Sequence, residues 1–111
     1  MEFTTRGTTC TATMVVDQPF QGYRGIAQGG VVATMLDSAM VHLLHDLFES
    51  NPLTGRLNIR YLRTTPVGTP LVINAWLINR HGDVCGAEAE IVHGTQRCAV
   101  ASGVFRLVQE L

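Results

Sequence analysis

The sequence predicts an α+β domain in which one antiparallel β-sheet wraps around one long central α-helix. Three observations carry that reading. A single segment, from Gly29 to about Ser50, repeats its apolar residues with a helical period. Everything after it alternates apolar and polar residues with a strand period, broken by turns of hairpin length. The alternating positions expected to face inward are small (Ala87, Ala89, Ala99, Ala101 and Gly103), which lets a sheet curve closely around a thick object. With 111 residues, the chain is expected to form one domain, residues 1–111, around one core.

Residues 8–16, TTCTATMVV, are rich in β-branched side chains and read as a first strand. The next segment, DQPFQGYRGIAQGG, carries Gly22, Gly25, Gly29 and Gly30 and reads as a loop of special geometry. On the helix that follows, Thr34, Ser38, His42, His45, Asp46 and Glu49 fall in one polar stripe. The rest of its circumference is apolar, so other structure must wrap most of it. Asn51-Pro52 is its stop signal, with Gly55 in the loop beyond.

The remaining strands follow in order. Leu57, Ile59 and Tyr61 alternate with Asn58 and Arg60, and Leu71 to Arg80 is a nearly continuous apolar strand. After a turn at His81-Gly82-Asp83, Cys85, Ala87, Ala89 and Ile91 alternate with Gly86, Glu88 and Glu90. After a turn at His93–Gln96, the last strand runs from Ala99 to Leu107. Connections this short imply antiparallel pairing. Trp76, in an apolar strand, is expected in the core or at a subunit interface.

Composition narrows the chemistry. All eight basic residues are Arg, against nine acids and a net charge of −1, and no basic run or basic-aromatic patch occurs, so nucleic-acid binding is not expected. Without lysine there is no Schiff-base or P-loop chemistry. The apolar stretch from Val31 to Phe48 contains Asp37, Ser38, His42, His45 and Asp46, which is expected to be too polar to span a bilayer. MEFTTRGTT shows no signal-peptide pattern. Cys10, Cys85 and Cys98 lack CxxC spacing, so neither a disulfide framework nor a zinc site is expected. They read as small buried hydrophobes in a reducing compartment, which points to a cytoplasmic location. Mean hydropathy of +0.18 is high for so short a chain and suggests apolar surface covered by a partner.

Asp37 is the residue that does not fit the core. It lies outside the polar stripe, among Ala33, Met40, Val41 and Leu44, two turns into the helix and so too deep to be an N-cap. A carboxylate on an apolar flank is costly unless it is paired or protonated. It is therefore either held by a structural ion pair or hydrogen bond, for instance with a strand arginine, or a general base or nucleophile. Gly29 and Gly30 open the same helix, where unpaired N–H groups and close backbone approach can stabilise a developing oxyanion. Gln28, just before them, can cap the helix or orient water or substrate. Arg60 and Arg63 flank Tyr61 and suit phosphate recognition. His42 and His45 lack a third ligand for a metal, and none is expected.

The segment GYRGIAQGGVVATMLDSAMVHLL resembles the motif of the hotdog-fold acyl-CoA thioesterases of the 4-hydroxybenzoyl-CoA and phenylacetic-acid-pathway type. In that motif a His-Gly-Gly opens a helix that carries an acid eight residues after the first glycine; here that acid is Asp37. LNIRYLRTTPVGTPLVINAWLINRHGD and AEAEIVHGTQRCAVASGVFRLV are similar to the family's later strands, and the resemblance covers residues 8–108. It implies a hotdog fold and an acyl-CoA substrate, with coenzyme A as part of that substrate and no resident cofactor. The Gly29 N–H would polarise the thioester carbonyl, and Asp37 would be base or nucleophile. The site would lie between subunits of a homodimer or a dimer of dimers. Gln28 stands where the family usually has His. Gly30, Gln21, Tyr61, Arg63 and Thr64 are the positions that would contact substrate, Gln21 standing in for an upstream amide of the family. A family Ser or Thr would fall near Arg63, Thr64 or Thr65. A non-catalytic acyl-CoA or acyl-carrier binder on the same scaffold is the alternative.

Overall fold

The structure, a computed structural model, describes residues 2–18, 22 and 25–109. Six strands and one helix follow in the order β1 (Thr4–Arg6), β2 (Thr9–Val15), α1 (Gly29–Phe48), β3 (Asn51–Tyr61), β4 (Pro70–His81), β5 (Val84–His93) and β6 (Gln96–Val108). The strands form one sheet in the order β1-β2-β4-β5-β6-β3, every pair antiparallel.

The sheet curves around α1 as its small inner residues require. Leu36, Ala39, Met40, Leu43 and Leu44 of the helix are fully buried, as are Leu71, Ile73, Ala75 and Ile91 of the sheet, with Ala87 and Ala89 almost so. At Gly103 a Cβ would lie 2.5 Å from the Phe105 ring and 3.4 Å from Met40 Sδ. The missing side chain is what admits the buried Phe105 beside the helix.

Several boundaries differ from expectation. β2 is shorter than residues 8–16, because Gly7, at a φ of 57°, turns the chain back into an additional short strand, β1. The helix does stop at the Asn51-Pro52 signal, with Glu49 in a left-handed C-cap whose N–H donates to the His45 carbonyl at 2.9 Å. No loop follows, however. β3 begins at Asn51 and runs through Gly55, which sits at a register shift between Thr54 and Arg56 opposite β6. The bulge breaks the alternation that would have revealed the strand's first half.

Trp76 does not enter the core. It is half-buried on the outer face of the sheet, opposite Glu88, and its Nε1 donates to Glu88 Oε1 at 3.0 Å. By length and composition α1 is also apolar enough to cross a bilayer, with 20 residues and a mean hydropathy of 1.3, contrary to the expectation from its polar residues. Here one side of that helix is the centre of the sheet's core.

Candidate active site

The start of α1 is held by neighbouring backbone. Ala27 N–H donates to the Thr65 carbonyl at 2.7 Å, Val67 N–H to the Gly25 carbonyl at 3.0 Å, and Gly68 N–H to the Val16 carbonyl at 2.9 Å. The first two bonds lace the segment before the helix to the segment after β3, and the third ties that later segment to the residue just after β2. Gln28 is the N-cap residue, extended at φ −62° and ψ 143°, and its side chain makes no capping bond. The first intrahelical bond runs from Val32 N–H to the Gln28 carbonyl at 3.1 Å. The N–H groups of Gly29, Gly30 and Val31 therefore precede the helical ladder, at the positive end of the helix dipole.

Two grooves meet at this helix start. One, of about 440 Å³, is lined by Gly22, Gln28, Gly29, Tyr61, Arg63 and Thr64, among others. The other, of about 560 Å³, lies between the end of β2 and the helix, lined by Met14, Val15, Val16, Asp17, Gln28, Gly30, Val31, Thr34, Met35 and Ser38. Six of the expected site residues thus gather around one helix terminus. Gln21 lies outside the described residues. Tyr61 adds a specific contact: its hydroxyl donates to the Gly29 carbonyl at 2.9 Å. Arg60 does not join Arg63. It faces a separate cavity of about 280 Å³ on the outer sheet face, with Trp76, Glu88 and Arg97, opposite the face of its neighbour Tyr61, whereas Arg63 lies beyond the end of β3.

Asp37 occupies a third groove, of about 380 Å³, with Phe3, Ser38, Val41, His42 and His45. It is half-buried rather than enclosed, since it faces β3, the edge strand of the sheet among the described residues. Thr54 Oγ1 donates to Asp37 Oδ1 at 2.7 Å. Among the described residues the ion pairs are His42–Asp46 at 3.4 Å and Arg97–Glu90 at 4.0 Å, so no arginine neutralises Asp37. Within one chain Asp37 and Gly29 stay apart: eight residues of helix span about 12 Å.

Thr54 is the residue that sequence reasoning missed. The hydroxyl that meets Asp37 lies in the first half of β3, ahead of the segment at Arg63, Thr64 and Thr65. Thr64 is exposed in the groove and Thr65 is buried, its carbonyl occupied by Ala27. Only the strand's full extent places Thr54 on the inner face, opposite Phe105.

The titratable groups of the helix's polar stripe, His42, His45 and Asp46, have structural partners. His42 stacks on Phe3 with ring centroids 4.8 Å apart, and Thr5 Oγ1 donates to Asp46 Oδ2 at 2.7 Å, which ties β1 across the helix's polar stripe. His45 Nδ1 meets the Ser50 carbonyl at 2.8 Å. Among the described residues, no group of three or more His, Cys, Asp or Glu is arranged to hold a metal. All three thiols are buried and free. Burial raises the Cys10 thiol from 9.0 to about 11, and it raises Cys85 as well, so both stay protonated and poorly nucleophilic at neutral pH.

The model of the thioesterase superfamily matches residues 24–100. A solved thioesterase superfamily protein is 27% identical, with a TM-score of 0.80 over 88% of this chain; the chain spans 48% of that protein's length. A Ralstonia eutropha protein described as a phenylacetic-acid-degradation-related thioesterase is 25% identical, with a TM-score of 0.82 over 90% of this chain and 76% of its own. A Streptococcus pneumoniae thioesterase protein solved with coenzyme A is 19% identical, with a TM-score of 0.90 over 98% of this chain and 89% of its own. No curated protein sequence matches significantly.

Proposed function

The chain belongs to the thioesterase superfamily, and from that premise we propose that it hydrolyses an acyl-CoA thioester at a site completed by a second copy of itself. The observation that carries the reading is Asp37: a carboxylate held by Thr54, free of any arginine among the described residues, and open to a groove. Such a group is available for proton transfer or attack.

The chemistry follows from the two ends of the site. The thioester carbonyl oxygen accepts from the Gly29 N–H at the helix start, which stabilises negative charge on that oxygen as it develops. Asp37 takes a proton from water, and the hydroxide oxygen bonds to the carbonyl carbon. Collapse of the tetrahedral adduct breaks the C–S bond, and the proton on Asp37 passes to the departing CoA thiolate. The variant route has Asp37 itself attack, giving a mixed anhydride and CoA thiolate, followed by hydrolysis of the anhydride. Either route needs the carboxylate and the N–H at one carbonyl, and about 12 Å of helix separates them within a chain. A second copy therefore supplies Asp37 to the helix start of the first. The edge of β3 that no described strand pairs, beside Asp37 and Thr54, is the natural seam for that dimer or for a dimer of dimers.

The two grooves suit the two arms of the substrate. Met14, Val16, Val31 and Met35 line the larger one and take the acyl group, while Arg63 and Thr64 in the smaller one serve the coenzyme A side. Coenzyme A enters as part of the substrate and no resident cofactor is needed. The setting is cytoplasmic, with no nucleic-acid partner and no bilayer span.

The test is release of free thiol from a panel of acyl-CoAs. Wild type turns over at least one of them, and Asp37→Ala lowers kcat by roughly a hundredfold or more. Equal rates for the two proteins refute the reading. Gln28 in place of the family's His favours a second reading, a non-catalytic acyl-CoA or acyl-carrier binder. Tight acyl-CoA binding without hydrolysis selects it.

A further inference from the structure

Tyr61 closes β3 and reaches the first turn of α1, where its hydroxyl donates to the Gly29 carbonyl at 2.9 Å. Its ring stands against the same glycine, with the hydroxyl oxygen 3.7 Å and ring carbons 3.8–3.9 Å from the position a Gly29 Cβ would take. In a regular helix that carbonyl already accepts from the N–H four residues on, so the tyrosine occupies its second lone pair. The carbonyl of Gly29 shares its peptide group with the N–H of Gly30, not of Gly29. A bond accepted at the oxygen draws electron density through the amide and makes that N–H a stronger donor. Gly30 lines the larger groove, and its N–H precedes the first intrahelical bond, from Val32 to Gln28.

We propose that Tyr61 is a positioning residue: by bonding the Gly29 carbonyl it fixes and polarises the Gly29–Gly30 peptide, so that the Gly30 N–H joins that of Gly29 in holding the thioester oxygen. This rests on the thioesterase reading above. It gives the Tyr61 hydroxyl a role other than touching substrate. It also accounts for a long strand ending in a tyrosine that is more than half exposed, yet whose hydroxyl is committed to the backbone.

The experiment compares wild type, Tyr61→Phe and Asp37→Ala by steady-state acyl-CoA hydrolysis and by amide NMR of labelled protein. Tyr61→Phe removes only the hydroxyl. The expected result is a kcat lower by about three- to tenfold with KM unchanged, together with an upfield shift of the Gly30 amide nitrogen. An unmoved Gly30 resonance overturns the proposal, as does an unchanged kcat. A raised KM at constant kcat also overturns it, because the hydroxyl would then be a substrate contact. Wild type no faster than Asp37→Ala is a separate failure, that of the thioesterase reading, and the catalytic part of this proposal falls with it. Wild type faster than Asp37→Ala but equal to Tyr61→Phe fails the proposal alone.

Discussion

Thr54 is one hydroxyl, but it decides how Asp37 is presented. Its 2.7 Å bond to Oδ1 leaves the second carboxylate oxygen for water or substrate. Removing a hydrogen bond to a charged group costs about 1.5–3 kcal/mol. On the proposed mechanism, Thr54→Val therefore lowers kcat by roughly tenfold or more, Thr54→Ser restores most of it, and initial rates on the best acyl-CoA measure both. The buried thiols make a second prediction. Unfolding returns Cys10 to its ordinary value of 9.0 from about 11, so its contribution to stability is complete below pH 9 and is lost as pH rises toward 11. Thermal unfolding followed across that window should show a steeper fall for wild type than for Cys10→Ala. At this scale the sequence was readable where spacing is rigid. Asp37 and Gly29 stood out because eight residues of helix fix their relation, whereas nothing local ties Thr54 to a carboxylate 17 positions away.

The helix start and the curved sheet can be tested as elements. Gln28 has extended geometry and Gly29 is the first helical residue, which is the setting a proline tolerates. Gly29→Pro therefore removes one N–H while keeping the helix. It should leave the thermal midpoint nearly unchanged and lower kcat by roughly a hundredfold, as loss of an oxyanion donor does. A midpoint that holds while activity also holds would remove Gly29 from the chemistry. In the sheet, Gly103→Ala forces a Cβ into the fully buried Phe105 ring. Overpacking of this kind costs about 1–3 kcal/mol, visible as a drop of about 4 °C or more in thermal midpoint. The helix and the later strands were legible because their periods persist over many residues. The first half of β3 was not, because Pro52 and Gly55 are ordinarily loop residues and the bulge at Gly55 interrupts the alternation. β1 was hidden for a related reason: three residues carry too little pattern, and its place depends on Thr5 and Phe3 meeting Asp46 and His42.

At the scale of the molecule, one helix and one sheet use nearly the whole chain, and the open grooves lie along the exposed side of the helix and its start. The high mean hydropathy pointed to a covered surface, and the structure locates exposed apolar side chains at Val15, Leu53 and Leu62, near the grooves and along β3. A sequence of one copy cannot state which groups of two copies meet. That is why each half of the proposed site was read from local spacing, while their meeting across two copies entered only as an implication of the family resemblance. The most direct measurement joins chains with complementary lesions. Asp37→Ala and Gly29→Pro chains are co-expressed with different tags, and the mixed assembly is purified through both. Thiol release from an acyl-CoA is then compared with that of the two parent variants. A site shared between chains reconstitutes one intact carboxylate opposite one intact helix start, so the mixed dimer recovers about half the wild-type rate while each parent is inactive. A mixed dimer as inactive as its parents would place both groups in a single chain's site and contradict the proposed mechanism.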